Sequence, residues 1–184
     1  HRSDRISPRF SLDGEWKFLY LKAPEYSPEG FCDKYFDDAA WEDIPVPSCW
    51  QMQGFGQPHY TDVWYLFPIN PPFVASENPT GIYRKTIEIP DEWKSGRKIL
   101  RFEGVGSAFD VWINGTHVGY SKVSHLASEF DVTGCLQLGE NQITVRVYQW
   151  SDGTYLECQD MWWFSGIFRS VSLRNEPECS VLDY

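Results

Sequence analysis

The chain has 184 residues and carries 26 Asp and Glu against 16 Lys and Arg, a formal net charge of -10. That balance argues against the basic face that nucleic acid or an anionic membrane surface requires, and no run is long and apolar enough for a membrane span. With 42% hydrophobic and 17% aromatic residues the chain can bury one full core, so a single domain is expected.

Alternation of apolar positions predicts strands over Glu15 to Tyr20, Gly81 to Ile89, Arg97 to Phe102, Ala108 to Ile113, His117 to Ser121, Ser128 to Asp131, Asn141 to Gln149 and Gly166 to Arg174. Short turns rich in Gly, Asn and Ser separate several of them, and no ten-residue stretch shows helical periodicity. The reading is all-β: a jelly-roll sandwich of antiparallel sheets with long Pro- and aromatic-rich loops. Asn114-Gly115-Thr116 matches a glycosylation sequon, but Asn-Gly between two strands is foremost a hairpin turn. From Ala23 to Thr80 there is no sustained strand pattern. An excursion of that length is expected to bind or dock, and its aromatics are expected to pack against something, a second domain being one option. Asn175-Glu176-Pro177 after the last strand reads as a linker start, giving a domain over 1–175 and a linker over 176–184. The opening His1-Arg2-Ser3-Asp4-Arg5 lacks the apolar core of a signal peptide, so any export signal is expected to have been removed or never to have existed; a soluble protein is expected, with cytoplasm and periplasm both open. Cys32, Cys49, Cys135, Cys158 and Cys179 are odd in number and lack C-x-x-C spacing, so most are expected to be free.

The stretch that suggests chemistry is Cys158-Gln159-Asp160-Met161-Trp162-Trp163-Phe164. A carboxylate beside an indole suits a sugar, because the acid accepts hydrogen bonds from hydroxyls while the ring covers the C–H face. Trp162 and Trp163 are adjacent and point to opposite sides of an extended chain, so one belongs to the core. Trp16, Trp41, Trp50, Trp112 and Trp150 lie in or beside strand-like segments and read as packing residues. The histidines His59, His117 and His125 are dispersed without metal spacing, and only His59 sits beside a proposed contact.

Four blocks carry a family resemblance: Ser11-Leu12-Asp13-Gly14-Glu15-Trp16, Val46-Pro47-Ser48-Cys49-Trp50-Gln51-Met52, Asn70-Pro71-Pro72-Phe73-Val74, and Trp150-Ser151-Asp152-Gly153 with Gln159-Asp160-Met161-Trp162. Together they resemble the amino-terminal sugar-binding domain of glycoside hydrolase family 2 β-galactosidases. The resemblance implies that Asp160 touches galactosyl hydroxyls and helps ligate sodium, using hard carboxylate oxygen and partners from a missing barrel. It also implies a contact from His59-Tyr60-Thr61-Asp62-Val63, where the family's usual asparagine is replaced by Asp62, which has lost the amide donor and gained a charge. Asp62, Val63, Asp160 and Trp162 are therefore the candidate substrate-binding residues. A magnesium site known in relatives would use Asp152, but Lys122 stands where a glutamine ligand is expected. Magnesium is thus possible in the full-length enzyme and is not predicted in this chain.

Retaining glycosidases need two carboxyls about 5 Å apart, and this chain offers no persuasive pair. The resemblance implies that both catalytic glutamates lie on a separate (β/α) barrel of the same polypeptide, and that the full-length enzyme is a homo-oligomer. The expected function is a non-catalytic domain that lends galactose-contacting loops to that active site. The expected ligand is galactose or a β-galactoside, with neither nucleic acid nor membrane as partner. An autonomous carbohydrate-binding module and a purely structural interface domain are the alternatives.

Overall fold

A computed structural model describes residues 9–62, 64–177 and 179. Twelve strands form in chain order: β1 (Arg9–Ser11), β2 (Gly14–Leu21), β3 (Glu42–Val46), β4 (Thr80–Ile89), β5 (Arg97–Phe102), β6 (Val105–Gly106), β7 (Ala108–Ile113), β8 (Thr116–Lys122), β9 (Ser128–Asp131), β10 (Gly139–Tyr148), β11 (Gly166–Ile167) and β12 (Val171–Glu176). A single helical turn, α1 (Thr154–Glu157), precedes the acid-and-aromatic loop. The sheets run β3-β2-β4-β10-β7-β8 and β1-β12-β5-β9, and β11 pairs with β6 in a separate short ladder. Every strand pair is antiparallel. From β4 onward the chain passes repeatedly between the two large sheets, as the jelly-roll reading expects.

The core lies between those sheets. Trp16, Phe18, Tyr83, Val111 and Val145 from the larger sheet join Leu100, Phe102, Val171 and Leu173 from the smaller one. Val145 stands opposite Tyr83 on one side and Val111 on the other, so a row of three inward side chains crosses the sheet centre. The β7–β8 hairpin turns at Asn114 (φ 51°) and Gly115 (φ 84°), the left-handed pair that a two-residue turn of this hand demands. The Asn114 carboxamide donates to the Asn141 side chain (2.8 Å) and the Cys135 carbonyl (3.2 Å), so it serves the fold rather than a glycan.

Two expectations need correction. The excursion between Ala23 and Thr80 contains a strand after all, because β3 pairs with β2 from Glu42 to Val46. Its pattern is concealed by Pro45, which is tolerated because β3 is an edge strand. The predicted strand over Gly166 to Arg174 is two strands serving different ladders. Gly166 adopts φ 122°, and a Cβ there would lie 2.9 Å from both the Ser48 carbonyl oxygen and the Tyr83 hydroxyl. The strand is pinned close to its neighbours at that point, breaks after Ile167 and resumes at Val171 in the other sheet.

The excursion also packs heavily on its own domain. Arg84, 1% exposed on the outer side of β4, donates to the Asp38 carboxylate (2.7 Å), the Phe31 carbonyl (2.6 Å), the Asp33 carbonyl (3.2 Å) and the Thr144 hydroxyl (3.2 Å). Arg146 lies over the rings of Phe31, Trp112 and Tyr148 at 5.2 to 5.3 Å. These contacts fold residues 31–38 over the outer sheet face and explain why β4 and β10 are buried on both sides. All five cysteines are free thiols.

Candidate functional site

The 158–165 loop is held at both ends by local chemistry. At its start, the Glu157 carboxylate in α1 accepts from the Ser124 backbone N–H (2.7 Å) and hydroxyl (2.6 Å), tying the helical turn to the loop after β8. At its end, the Ser165 N–H donates to the Gln51 side-chain oxygen (3.0 Å), and the Ser165 carbonyl accepts from the Trp50 N–H (3.0 Å). The Ser48 N–H completes this seam by donating to the Ile167 carbonyl (2.8 Å). The Pro-Ser-Cys-Trp-Gln block, conspicuous in the sequence, is thus a brace for the loop that carries Asp160.

A second loop, seen over residues 59–62 and 64–73, lies against the first. The Trp163 N–H donates to the His59 carbonyl (2.8 Å), and the Trp163 indole N–H donates to the Thr61 hydroxyl (2.6 Å). The Cys158 thiol sits 3.8 Å from the Asp62 carbonyl oxygen. Beneath them an aromatic cluster fixes the loop: Tyr65 packs on Tyr155 at 5.2 Å, Phe67 on Trp150 at 5.2 Å, and Trp150 on Trp163 at 5.3 Å. The Tyr65 hydroxyl donates to the Tyr155 carbonyl (2.8 Å), and the Tyr155 hydroxyl to the Phe73 carbonyl (2.6 Å). Adjacent tryptophans divide the work as expected. Trp163 is half-buried in this cluster, while Trp162 is 53% exposed and stacks on Phe164 with an interplanar angle of 9°.

The two loops meet at Asp160. The Tyr60 hydroxyl donates to its carboxylate, and the Tyr60 ring lies 5.8 Å from that of Trp162. The hydrogen bond to Asp160 holds the Tyr60 phenol above the usual tyrosine range, followed in effect by desolvation and by the charges of Asp160 and Asp62. Both aspartates therefore act on the same hydroxyl. Asp62 adopts φ 52°, a left-handed conformation that aspartate tolerates better than most residues. Of the four residues expected at the site, Asp62, Asp160 and Trp162 are brought together on one exposed face, and Val63 lies outside the described residues. Tyr60 is a member that the sequence reading did not single out; an aromatic beside the candidate Asp62 was the available signal.

Asp152 has a different environment. Lys122 bonds its carboxylate at 2.6 Å, and that contact lowers the Asp152 pKa and raises that of Lys122. The lysine ammonium takes up the carboxylate oxygen Oδ2. Among the described residues there is no group of three or more His, Cys, Asp and Glu side chains placed to hold a metal. No helix there is long and apolar enough to cross a membrane.

Comparison with known proteins gives a consistent picture. The family model described as "Glycosyl hydrolases family 2, sugar binding domain" matches residues 10–177. A β-galactosidase of Psychromonas ingrahamii is 52% identical over 172 residues, which cover 94% of this chain and 17% of the relative. A β-galactosidase of Vibrio vulnificus is 49% identical over 185 residues, covering 100% of this chain and 18% of the relative. The chain thus spans less than a fifth of the length of these curated relatives. Among solved structures, a β-glucuronidase of Bacteroides uniformis superposes with a TM-score of 0.71 at 27% identity, covering 92% of this chain and 18% of that one. A β-glycosidase of Bacteroides vulgatus gives 0.65 at 28% identity, covering 90% and 20%.

Proposed function

The chain belongs to the sugar-binding domain family of glycoside hydrolase family 2, and from that membership we propose that it is the non-catalytic amino-terminal domain of a β-galactosidase. In this reading the faces of Asp160, Tyr60, Asp62 and Trp162 form one wall of a galactose subsite. The active site itself lies on a separate barrel of the same polypeptide. The observation that supports it best is the convergence of two loops, one hundred residues apart in sequence, on the Asp160 carboxylate.

The chemistry of that convergence suits positioning. An exposed carboxylate retains lone pairs beyond the one that Tyr60 uses, and these accept from sugar hydroxyls. Tyr60 fixes the carboxylate so that little side-chain freedom is lost when the sugar arrives. The exposed face of Trp162 covers the C–H side of the ring.

Sodium fits as a guest rather than a resident of this chain. Asp160 offers hard oxygen suited to such a cation, but the described residues add no cluster of acidic ligands beside it. Asp160 would supply one ligand and the barrel the others. The bound cation would contribute positive charge that orients galactosyl oxygens.

The test is an amide-resonance titration of the chain with galactose, with glucose as control, with and without sodium, on the native protein and on Asp160→Asn. A few hydrogen bonds worth about 1 kcal/mol each must offset the lost translational freedom of the sugar, so affinity is expected to be roughly millimolar or weaker. Galactose-selective shifts confined to residues 60–62 and 158–164 and lost in the variant support the subsite. Galactose shifts that survive in Asp160→Asn contradict it.

A further inference from the structure

Among the described residues three that are not glycine adopt positive φ, and two of them, Asp62 and Asn114, are types that tolerate it. The third is not. Val123, in the turn between β8 and β9, adopts φ 84°, where a β-branched side chain crowds its own backbone. Packing gives no compensation, since Val123 is 48% exposed and stands outside the core cluster. A strained residue persists only where its surroundings hold it there.

Those surroundings are two rungs that join the turn to the α1 segment. On one side of Val123, the Lys122 ammonium donates to the Asp152 carboxylate (2.6 Å). On the other, the Ser124 N–H and hydroxyl donate to the Glu157 carboxylate (2.7 and 2.6 Å). Asp152 and Glu157 bracket α1, so the rungs clasp that helical turn from both ends. They are unequal. The Lys122 and Asp152 side chains are both open to water, and such an ion pair contributes little. Ser124 is buried and bonds a charged acceptor twice, so this rung is the one that keeps Val123 in place. Beyond it, the Ser124 carbonyl accepts from the Val105 N–H (3.2 Å) and the His125 carbonyl from the Arg169 guanidinium (2.9 Å).

Rotation about a single backbone bond couples this turn to the neighbouring loop. Returning Val123 to an ordinary negative φ redirects the chain from Ser124 onward and carries Ser124 away from Glu157. Glu157 lies three residues before Asp160, so breaking that rung frees the start of the 158–165 loop. We propose that the Val123 turn is a strained latch on the Asp160 loop: closed, it fixes α1 and the loop through Glu157; open, it relaxes Val123 and lets the loop move. The functional weight of this latch rests on the reading that Asp160 carries the sugar-contacting face, whose order is then set from a turn outside that face.

The experiment compares amide protection, corrected for intrinsic exchange rates, in the 184-residue chain and two variants. It uses no ligand, so its outcome is separate from that of the galactose titration. Val123→Asn keeps the turn and removes much of the left-handed penalty, because asparagine tolerates that conformation. It is expected to raise protection of the Ser124 N–H, and of the Trp163 N–H in the loop, by the same factor of about threefold to tenfold. The Lys94 N–H, which donates to the Asp91 carbonyl (3.1 Å) in a separate exposed turn, is expected to keep its native protection. Val123→Ile retains the β-branch and the strain, and is expected to match the native chain at all three amides. Native protection of Ser124 in Val123→Asn, or a gain at Ser124 without one at Trp163, overturns the latch. So does an equal gain at all three amides, which marks general stabilisation, and so does the same gain in Val123→Ile, which removes backbone strain as the cause.

Discussion

Tyr60 and Asp160 show how one contact between two loops sets the electrostatics of the face that they share. The phenol donates to the carboxylate, and this bond is the largest cause of the raised Tyr60 pKa. A tyrosine whose folded pKa is raised contributes stability that is complete below its ordinary value near 10 and is lost as pH rises through the higher folded value. The Tyr60 ring is expected to titrate above pH 10 in the native protein and to move back down in Asp160→Asn, checked by the pH dependence of its ring carbon resonance. An unchanged Tyr60 titration in the variant would show that the two groups are not coupled. Asp160 was a candidate in the sequence because an acid beside tryptophans has a chemical rationale. Tyr60 entered only as a neighbour of Asp62, because its bond is to a carboxylate one hundred residues away.

Among the elements, the strands with clean alternation and proper turns were legible: β4, β5, β7, β8, β9 and β10 lie within a residue or two of their expected bounds. Those set by tertiary context were not. β3 hides behind Pro45 and exists because β2 offers a free edge. The break between β11 and β12 follows from a close approach at Gly166 that only the folded neighbours create. The covering of the outer sheet face by residues 31–38 depends on Arg84, which in sequence resembles any strand arginine. Arg84→Met removes its bonds to Asp38 and to four carbonyl or hydroxyl oxygens. The expected loss is about 2–4 kcal/mol in urea denaturation, below the full cost of breaking a sealed ion pair because Asp38 is 25% exposed. Amide exchange over 31–38 should accelerate with it, and native stability in this variant would refute the clamp. Glu157→Ala should cost about 1–3 kcal/mol, since it strands the N–H and hydroxyl of buried Ser124. Its denaturation midpoint checks this, and broadened signals at 158–164 would show the loop released with it.

For the whole molecule, the all-β sandwich and the family were accessible from strand periodicity and four sequence blocks, and the matched family region of residues 10–177 covers nearly all of the chain. The aromatic excursion was harder to place. Much of it packs internally through Phe31, Trp50, Tyr65 and Phe67, while Trp64, Ile69 and Phe73 remain 67 to 74% exposed. Exposed apolar side chains on that scale suit contact with another domain, in keeping with a chain that spans 17 to 18% of its relatives' length. The central claim is that Asp160 belongs to the galactose subsite of the complete enzyme, and the most direct measurement is galactoside turnover by that enzyme carrying Asp160→Asn. Loss of hydrogen bonds to a charged group predicts a fall in kcat/KM of about tenfold to a hundredfold with the fold intact. Turnover equal to that of the native enzyme would contradict the account and leave the domain a structural one.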